Sequence, residues 1–363
     1  MRKVIDKLNE KRKKIVEYIE IEKLFRSRSV FSESYPTLTD LWKRRFFQMV
    51  RFGSTRTKAI AKEFLTVEIK KINENRLRAA APNNPILICV IKNDLKKIKK
   101  FMEHYRKLGI KNFVFLDNMS SDGTREFLTA QEDTLVYSCE HEYRSERRVA
   151  WINRLIAECG DNRWYLIVDS DEFISYIGCG EYTLEQVTQR AEELGYTRVE
   201  GFFLDMYSKE SLFEANLDKE FWKQYCYMDK DTYSVTELER GKLIRGGPRT
   251  RLFGKLMQLS KFPLFYFEGN DIVPSAHYMI PFEKSRGVPI ALAILHYKFV
   301  DGSDYQKLQE AVEKGIYNNN SEDYRQYLKI YSQNEGISFY DEQHSIVYSE
   351  ENLQQIELLE SLF

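Results

Sequence analysis

Between residues 86 and 168, short apolar runs alternate with amphipathic segments of helical spacing. Apolar runs of five or six residues are typical of buried strands, and the longer amphipathic segments are typical of helices. Strands are predicted at "ILICVI" (86–91), "NFVFL" (112–116), "TLVYS" (134–138) and "WYLIV" (164–168), with helices at 94–109, 120–131 and 145–160. This alternation predicts a parallel sheet whose crossover connections are helices.

The rest of the chain is less regular. Residues 1 to about 80 show charged segments with helical spacing, and the loop signal "APNNP" (81–85) follows them. After residue 200, "TRVEGFFLDMY" (197–207) and "RTRLFGKLMQL" (249–259) are interpreted as strands of a mixed sheet, and the chain from 303 onward as helical. We therefore predict an N-terminal helical region (1–82), an α/β domain (83–300) and a C-terminal helical tail (301–363).

Composition excludes several classes of protein. With 43% hydrophobic and 14% aromatic residues, the 363-residue chain can bury a large core and is not expected to be disordered. Its 55 basic and 55 acidic residues give no support for a nucleic-acid binder. The five cysteines form no CxxC, which favours a reducing compartment. Since neither a secretory signal nor an apolar run of ~20 residues is found, we expect a cytoplasmic protein.

The stretch "LWKRRFFQMVRF" (41–52) mixes basic and aromatic residues. The favoured interpretation is a helix packed on the main domain with its cationic side chains in water. The alternative is peripheral contact with an anionic membrane surface, at the inner face of the plasma membrane.

Polar residues follow three of the predicted strands: Lys92, Asn93 and Asp94; Asp117 and Asn118; and Asp169, Ser170 and Asp171. In parallel sheets, ligands bind at the carboxyl ends of the strands. Carboxylate oxygens suit Mg²⁺ or Mn²⁺, which a protein typically holds with one or two carboxylates plus substrate phosphates. The motif therefore favours a metal that bridges Asp169 and Asp171 to a diphosphate. A solvated acidic turn is the alternative.

These strand ends resemble motifs of the bacterial glycosyltransferases of family 2, in the branch that reads roughly "KNE", "DN-S-DGT" and "W-DxDEF". The chain has "IKND" (91–94), "DNMSSDGT" (117–124) and "WYLIVDSDEF" (164–173) in that order. Looser likenesses follow at "GGPRTRLF" (246–253), "KFPLFYFEG" (261–269), "SAHY" (275–278) and "LHYKF" (295–299). The resemblance covers roughly 85–300, and the chain departs from it at Asp94, where Glu is usual, and at Met119.

The resemblance implies a GT-A fold, which is a Rossmann-like α/β fold with a mostly parallel central sheet flanked by helices. Here that fold would carry N- and C-terminal helical extensions. The implied reaction is metal-dependent transfer of a hexose or N-acetylhexosamine from a UDP-sugar to a glycan or lipid-linked acceptor, with inversion. Such enzymes assemble lipopolysaccharide, capsule or other bacterial surface polysaccharide, and their cofactor is Mn²⁺ or Mg²⁺.

The resemblance also implies nucleotide-binding residues. Asp117 would bind the uracil or ribose, and Lys92, Asn93 and Asn118 would lie beside the nucleotide. Arg148 and Asn153 would face the donor from the helix before the DxD strand. Asn118 and Asp122 also fit simple turn and cap roles.

Metal and catalytic roles complete the implied site. Asp171 would be the principal metal ligand, and Asp169 would contact ribose or metal. A further ligand would be His296 or His277, although a lone histidine is often structural. Arg249 and Arg251 would hold the diphosphate, unless they are ordinary surface arginines. Candidates for the base that activates the acceptor are Asp205, Glu268 and Asp271.

Two other functions remain as alternatives. One is a catalytically inactive GT-A module that binds nucleotide or glycan. The other is a phosphatase of the haloacid-dehalogenase type, whose nucleophilic DxD ends the first strand rather than the fourth. Neither the GxGxxG of a dinucleotide-binding fold nor a P-loop is present in the sequence.

Overall fold

The computed structural model describes residues 57–212, 220–254, 256–300, 302–315, 321–334 and 336–363, together with Asn9, Arg12, Ile15, Val16, Ile19 and Arg45. The helices are α1 (Thr57–Thr66), α2 (Leu95–Lys107), α3 (Thr124–Thr129), α4 (Ser145–Cys159), α5 (Leu184–Glu193), α6 (Phe221–Gln224), α7 (Gly247–Phe253), α8 (Gly302–Lys314), α9 (Glu322–Gln333) and α10 (Glu350–Leu353). The strands are β1 (Lys70–Lys71), β2 (Ile86–Ile91), β3 (Asn112–Asp117), β4 (Thr134–Ser138), β5 (Arg163–Ile167), β6 (Glu172–Ser175), β7 (Arg198–Asp205), β8 (Tyr227–Asp229), β9 (Tyr233–Leu238), β10 (Gly241–Gly246), β11 (Ser260–Phe267), β12 (Ile290–His296) and β13 (Ser345–Val347).

Nine strands of the described residues form one sheet in the order β1-β4-β3-β2-β5-β11-β7-β12-β6. Strands β2, β3, β4 and β5 pair in parallel, as do β7 and β12. Strand β11 lies between β5 and β7 and is antiparallel to both. The two edge strands, β1 and β6, are also antiparallel to their neighbours. The fold is therefore a mixed α/β architecture with a large, mostly parallel central sheet.

Helices cover both faces of this sheet. Alternate residues of a strand point to opposite faces, and in β2 Leu87 and Cys89 join one apolar cluster while Ile86 and Ile88 join another. The first cluster includes residues of α2, α3 and α5, and the second includes residues of α1 and α4. Strands buried on both faces explain the continuous apolar runs in the sequence.

The alternation predicted for 86–168 is confirmed, and so is a strand within 197–207. The prediction of a strand at "RTRLFGKLMQL" is wrong, because its first half belongs to helix α7. Pro248 lies in the first turn of this helix, where its missing N–H costs no hydrogen bond. Gly254 ends the helix with a left-handed φ of 67°.

The stretch 41–52 lies outside the described residues except for Arg45. The Arg45 side chain is buried, forms an ion pair with Asp161 and lies over the Phe267 ring at 4.4 Å. No helix in the described part of the chain is both long and apolar enough to cross a membrane.

The described part of residues 301–363 contains the helices α8, α9 and α10 and a short strand, β13, which pairs with β8. A third apolar cluster, rich in aromatic residues, joins this segment to α7 and includes Phe253, Phe299 and Tyr327.

His104 of α2 makes stability depend on pH. Its Nε2 donates to the carbonyl of Ile174 at 2.9 Å, and burial lowers the pKa of His104 to about 4. Above pH ~6.5 the ring is neutral in both folded and unfolded states. Between pH ~6.5 and ~4, His104 is protonated in the unfolded chain but neutral in the folded chain. The free energy of unfolding therefore falls by up to ~1.4 kcal/mol for each unit by which the pH is lowered.

We expect urea unfolding between pH 4 and pH 8 to show a shallower pH slope in His104→Gln than in the wild type. Glutamine keeps a donor for Ile174 but does not titrate. The exposed His141, replaced by Gln, is the matched control and should leave the slope unchanged. Equal slopes for His104→Gln and wild type would contradict the assignment.

Candidate functional site

Asp117 ends β3 with a fully buried side chain. Its Oδ2 accepts hydrogen bonds from Arg125 Nε at 2.7 Å and from the Ser120 backbone N–H at 3.3 Å. Its Oδ1 is buried without any hydrogen-bond partner in the described part of the chain. A buried acceptor without a partner costs free energy, so Asp117 Oδ1 is a candidate acceptor for a ligand N–H.

The neighbouring Asn118 holds the strand ends together. Its Nδ2 donates to the backbone carbonyls of Cys139 at 3.0 Å and His141 at 2.7 Å, and its backbone N–H donates to Ile91. Its Oδ1, like that of Asp117, is buried without a partner among the described residues. Asn118 therefore combines a turn role with one acceptor left for a ligand.

Residues after β2 shape the same edge. Asn93 has a left-handed φ of 52°, and its Oδ1 accepts the Ser121 backbone N–H at 2.7 Å. Asp122 caps the start of α2 by accepting the Leu95 N–H at 3.0 Å. Lys92 is exposed beside them. Asn93 and Asp122 thus have mainly structural roles, whereas Lys92 can approach a ligand from solvent.

The acidic turn after β5 is held by charge pairs. Asp169 accepts a hydrogen bond from Arg148 of α4, whose side chain is only 10% exposed. Burial raises the pKa of Asp169, but the charges of Arg148 and Lys261 outweigh burial, and the pKa lies below its usual value. Arg148 therefore contacts the turn through Asp169, and its contact with a nucleotide-sugar donor stays a prediction.

Glu172 lies beneath this turn. Its Oε2 accepts the Asp169 backbone N–H at 2.9 Å and pairs with Lys261 of β11. Both side chains are almost fully buried, at 3% and 2% exposure. Burial, together with the negative charges of Asp169 and Asp171, raises the pKa of Glu172 despite the attraction of Lys261. The pair fixes the turn from below, because Glu172 bonds to the turn's own backbone.

His296 ends β12 and faces Asp171. Its Nδ1 donates to Asp205 Oδ1 at 2.8 Å, so Nε2 carries the free lone pair and lies 3.7 Å from Asp171 Oδ2. The other oxygen of Asp205 accepts from Arg249 Nε at 2.7 Å. Burial raises the pKa of Asp205, but Arg249 and His296 outweigh it and keep the pKa below its usual value. A carboxylate that orients an imidazole in this way is typical of metal-binding histidines.

The donor set at Asp171 fits a divalent cation. Burial raises the pKa of Asp171, but the neighbouring His296, Lys298 and Lys97 lower it to about 2, so the carboxylate stays ionised. Neighbouring ligands ~2.1 Å from an octahedral ion lie ~3.0 Å apart, so the 3.7 Å between Nε2 and Oδ2 would have to shorten for both atoms to bind one ion. No group of three or more His, Cys, Asp or Glu able to hold a metal occurs in the described ranges. A cation here would therefore need ligand oxygens as well.

His277 makes a different contact. Its Nδ1 donates to the carbonyl of Ser260 at 2.9 Å, and burial lowers its pKa to about 4. No contact with the acidic turn is found for this side chain. Of the two predicted histidines, His296 is the one that faces Asp171.

Two predicted bases lie at the wrong edge of the sheet. Strand β11 runs antiparallel to β5 with Phe267 opposite Arg163, so Glu268 and Asp271 lie near the start of β5 rather than near its end. About six residues of strand, or ~20 Å, separate that edge from Asp169. Both carboxylates pair there with Lys284 at 3.0 Å. They cannot reach an acceptor bound at the acidic turn.

Asp205 lies at the correct edge, but both its oxygens are engaged. The side chain is 2% exposed and bonded to His296 and Arg249. This geometry argues against Asp205 as the base and suits it to orienting His296. Arg249, predicted to hold diphosphate, is instead bound to Asp205.

Two further predicted ligands have structural roles. Asn153 is fully buried, and its amide bonds to the backbone of Val149 and Val273. Arg251 pairs with the buried Asp229 at 2.9 Å and donates to the Phe339 carbonyl at 2.6 Å. Both predictions of nucleotide-sugar contact are contradicted, since these polar groups are already occupied away from the acidic turn.

No protein-family model and no curated protein matches this chain. The candidate site is therefore described by its geometry alone. Asp117 at the end of β3 has an unpartnered acceptor, Oδ1, and Asp171 in the turn after β5 faces His296 at the end of β12.

Sequence reasoning missed two cations of the site. Arg125 binds Asp117 with Nε and Nη2 on the same oxygen, at 2.7 and 2.6 Å. Lys261 was present in the quoted motif "KFPLFYFEG" but was given no role. A lysine at the start of an apolar strand is a usable signal, because a buried lysine requires an acidic partner.

Replacement of Lys261 by Met should lower the free energy of unfolding by ~3–5 kcal/mol, because Glu172 would be left charged and unpaired. The double variant Lys261→Met, Glu172→Gln should recover about half of this loss, since it buries no charge. Denaturant titration measures both. Lys111→Met, which breaks a surface pair with Glu185, is the control and should cost at most ~1 kcal/mol. A single variant as stable as the control would contradict the role of the pair.

Proposed function

We propose that this chain is a metal-dependent glycosyltransferase of the GT-A type. It transfers a sugar from a UDP-sugar to a glycan or lipid-linked acceptor, in the synthesis of bacterial surface polysaccharide. The mostly parallel sheet with polar strand ends supports this proposal, as does the order of the three quoted motifs. An inverting outcome and a hexosyl or N-acetylhexosaminyl donor remain predictions.

One observation carries the proposal: the candidate site has a hydrogen-bond acceptor at one end and candidate metal ligands at the other. Asp117 offers a buried unpartnered acceptor after β3, and Asp171 with His296 offers metal ligands after β5 and β12. Only β2 lies between β3 and β5, so the ends of these two strands are ~10 Å apart at the usual strand spacing. The acidic turn that follows β5 contacts the end of β2 through Ser170 and Asp94. A nucleotide with a base at one end and a diphosphate at the other matches this arrangement.

The hydrogen-bond inventory favours uracil. Arg125 and Ser120 occupy Oδ2 of Asp117, so one carboxylate oxygen is left for the base. Uracil presents a single ring N–H, at N3, to such an acceptor. Guanine presents two adjacent donors, which a carboxylate binds best with both oxygens.

Asp171 and His296 would hold Mn²⁺ or Mg²⁺ together with substrate oxygens. Such an ion supplies a Lewis acid that neutralises negative charge on the departing diphosphate. Asp205 holds His296 in the tautomer with a free Nε2, and Arg249 keeps Asp205 ionised. Arg148 steadies Asp169, and Glu172 with Lys261 holds the turn in place.

A nucleotide-binding module without activity is the second candidate. It is favoured by the lack of a free base, since Asp205 is fully bonded and Glu268 and Asp271 lie at the other edge. A haloacid-dehalogenase phosphatase is disfavoured, because the nucleophile would be Asp169. That carboxylate is bound to Arg148 and follows the fourth of the parallel strands.

Incubation with a panel of sugar nucleotides and Mn²⁺ should release UDP from a UDP-hexose or UDP-N-acetylhexosamine. GDP- and CMP-sugars should be poor donors. Asp117 has one oxygen for the two adjacent donors of guanine, and cytosine lacks the N3–H of uracil that Asp117 is proposed to accept. Preference for a GDP- or CMP-sugar would contradict the role of Asp117. Nucleotide binding without turnover, across several acceptors, would favour the inactive module.

Asp171→Asn should lower transfer by at least ~100-fold, as expected for loss of an electrostatic element of the site. In thermal unfolding, UDP should stabilise the wild type only when Mn²⁺ or Mg²⁺ is present and should no longer do so in this variant. The matched control is Asp231→Asn, which removes a half-exposed carboxylate paired with His344. Equal stabilisation by UDP in EDTA would rule out the metal bridge.

A further inference from the structure

A nucleotide bound as proposed must cross the end of β2. Strand β2 lies between β3, which ends at Asp117, and β5, which leads into the acidic turn. The residues at this end are Asn93 and Asp94. What lies against them determines how the middle of the ligand, its ribose and diphosphate, is contacted.

Lys307 of the C-terminal helix α8 lies at this position. Its Nζ donates to the Asn93 carbonyl at 3.1 Å and to Asp94 Oδ1 at 2.8 Å. The other oxygen of Asp94 accepts the hydroxyl of Ser170, which stands between Asp169 and Asp171. A cation from more than 200 residues away in sequence thus sits between the two ends of the site.

Lys307 is an accessible cation at this edge, as the exposed Lys92 is. Its side chain is 45% exposed, whereas Arg148 is 10% and Lys261 is 2% exposed. The latter two are held by Asp169 and Glu172 in buried pairs. An exposed ammonium on a flexible stem can exchange one anionic partner for another at little cost.

The surrounding charge favours such a cation. Asp169 is already paired with Arg148, but Asp94 and Asp171 are further carboxylates at this edge, and an incoming diphosphate is itself an anion. A metal ion at Asp171 would leave part of the diphosphate charge for another cation to offset. A lysine is a suitable point charge for phosphate oxygens.

We propose that Lys307 binds the diphosphate of the nucleotide and exchanges Asp94 for a phosphate oxygen when the ligand enters. This inference rests on the proposed function, and it adds α8 to the donor site. The helix that follows the α/β domain is then part of substrate binding, through a lysine not included in the quoted motifs.

Calorimetric titration of the full chain with UDP and with uridine, both with Mg²⁺, tests the proposal. Lys307→Met should weaken UDP binding by about tenfold or more, as expected for loss of a charge-assisted hydrogen bond. Uridine binding should stay within about twofold, because uridine has no phosphate. Lys307→Arg keeps the charge and should retain most of the UDP affinity. Lys314→Met on the same helix is the control, since Lys314 pairs only with the exposed Glu310 in the described residues.

The outcomes separate the two proposals. Equal affinities of Lys307→Met and wild type for UDP would overturn the role of Lys307 and leave the proposed function standing. Equal weakening of UDP and uridine would also overturn it, because it would show that Lys307 only fastens α8. A wild type that binds neither UDP nor uridine would overturn the proposed function itself.

Discussion

The acidic turn after β5 places three carboxylates, Asp169, Asp171 and Glu172, within four residues. Side chains from three other elements contact these carboxylates. Each carboxylate contacts a group from a different element: Asp169 pairs with Arg148 of α4, Glu172 pairs with Lys261 of β11, and Asp171 faces the imidazole of His296 of β12. Like charges at this spacing repel and would raise each other's pKa values. One helix and two strands therefore bring two cations and an imidazole to the turn.

Local sequence patterns were enough to predict the parallel strands and the edge of the sheet at which the acidic residues lie. The apolar runs and amphipathic helices of 86–168 identified the parallel strands, and strand ends then placed Asp117 and Asp171 at one edge. The partners from later elements could not be read in this way. Glu268 and Asp271 were placed wrongly because the direction of β11 depends on long-range pairing, which an apolar run does not encode. The helix at 247–253 was different, since Pro248 and Gly254 gave start and stop signals that were overlooked.

Arg249, Asp205 and His296 show how separate predictions can describe one unit. Their residue types suggested a diphosphate ligand, a base and a metal ligand. In the structure the three side chains form a single hydrogen-bonded row, all less than a tenth exposed. The row ends at His296, whose Nε2 lies 3.7 Å from Asp171 Oδ2. Burial makes each charge in the row depend on the next. The buried acid Asp205, flanked by apolar residues, thus orients a histidine.

The two ends of the site also divide its chemistry between elements. Asp117 lies on β3 and Arg125 on α3. Asp171 lies in the turn between β5 and β6, and His296 lies at the end of β12. In the proposed function, a change at Asp117 would alter which base is bound without moving Asp171 or His296, because different elements carry these residues. Changes in the Arg249–Asp205–His296 row would have the opposite effect, since they would reorient the proposed metal ligand and leave Asp117 in place. Under this proposal, selection of the nucleotide and stabilisation of the leaving group could therefore vary separately.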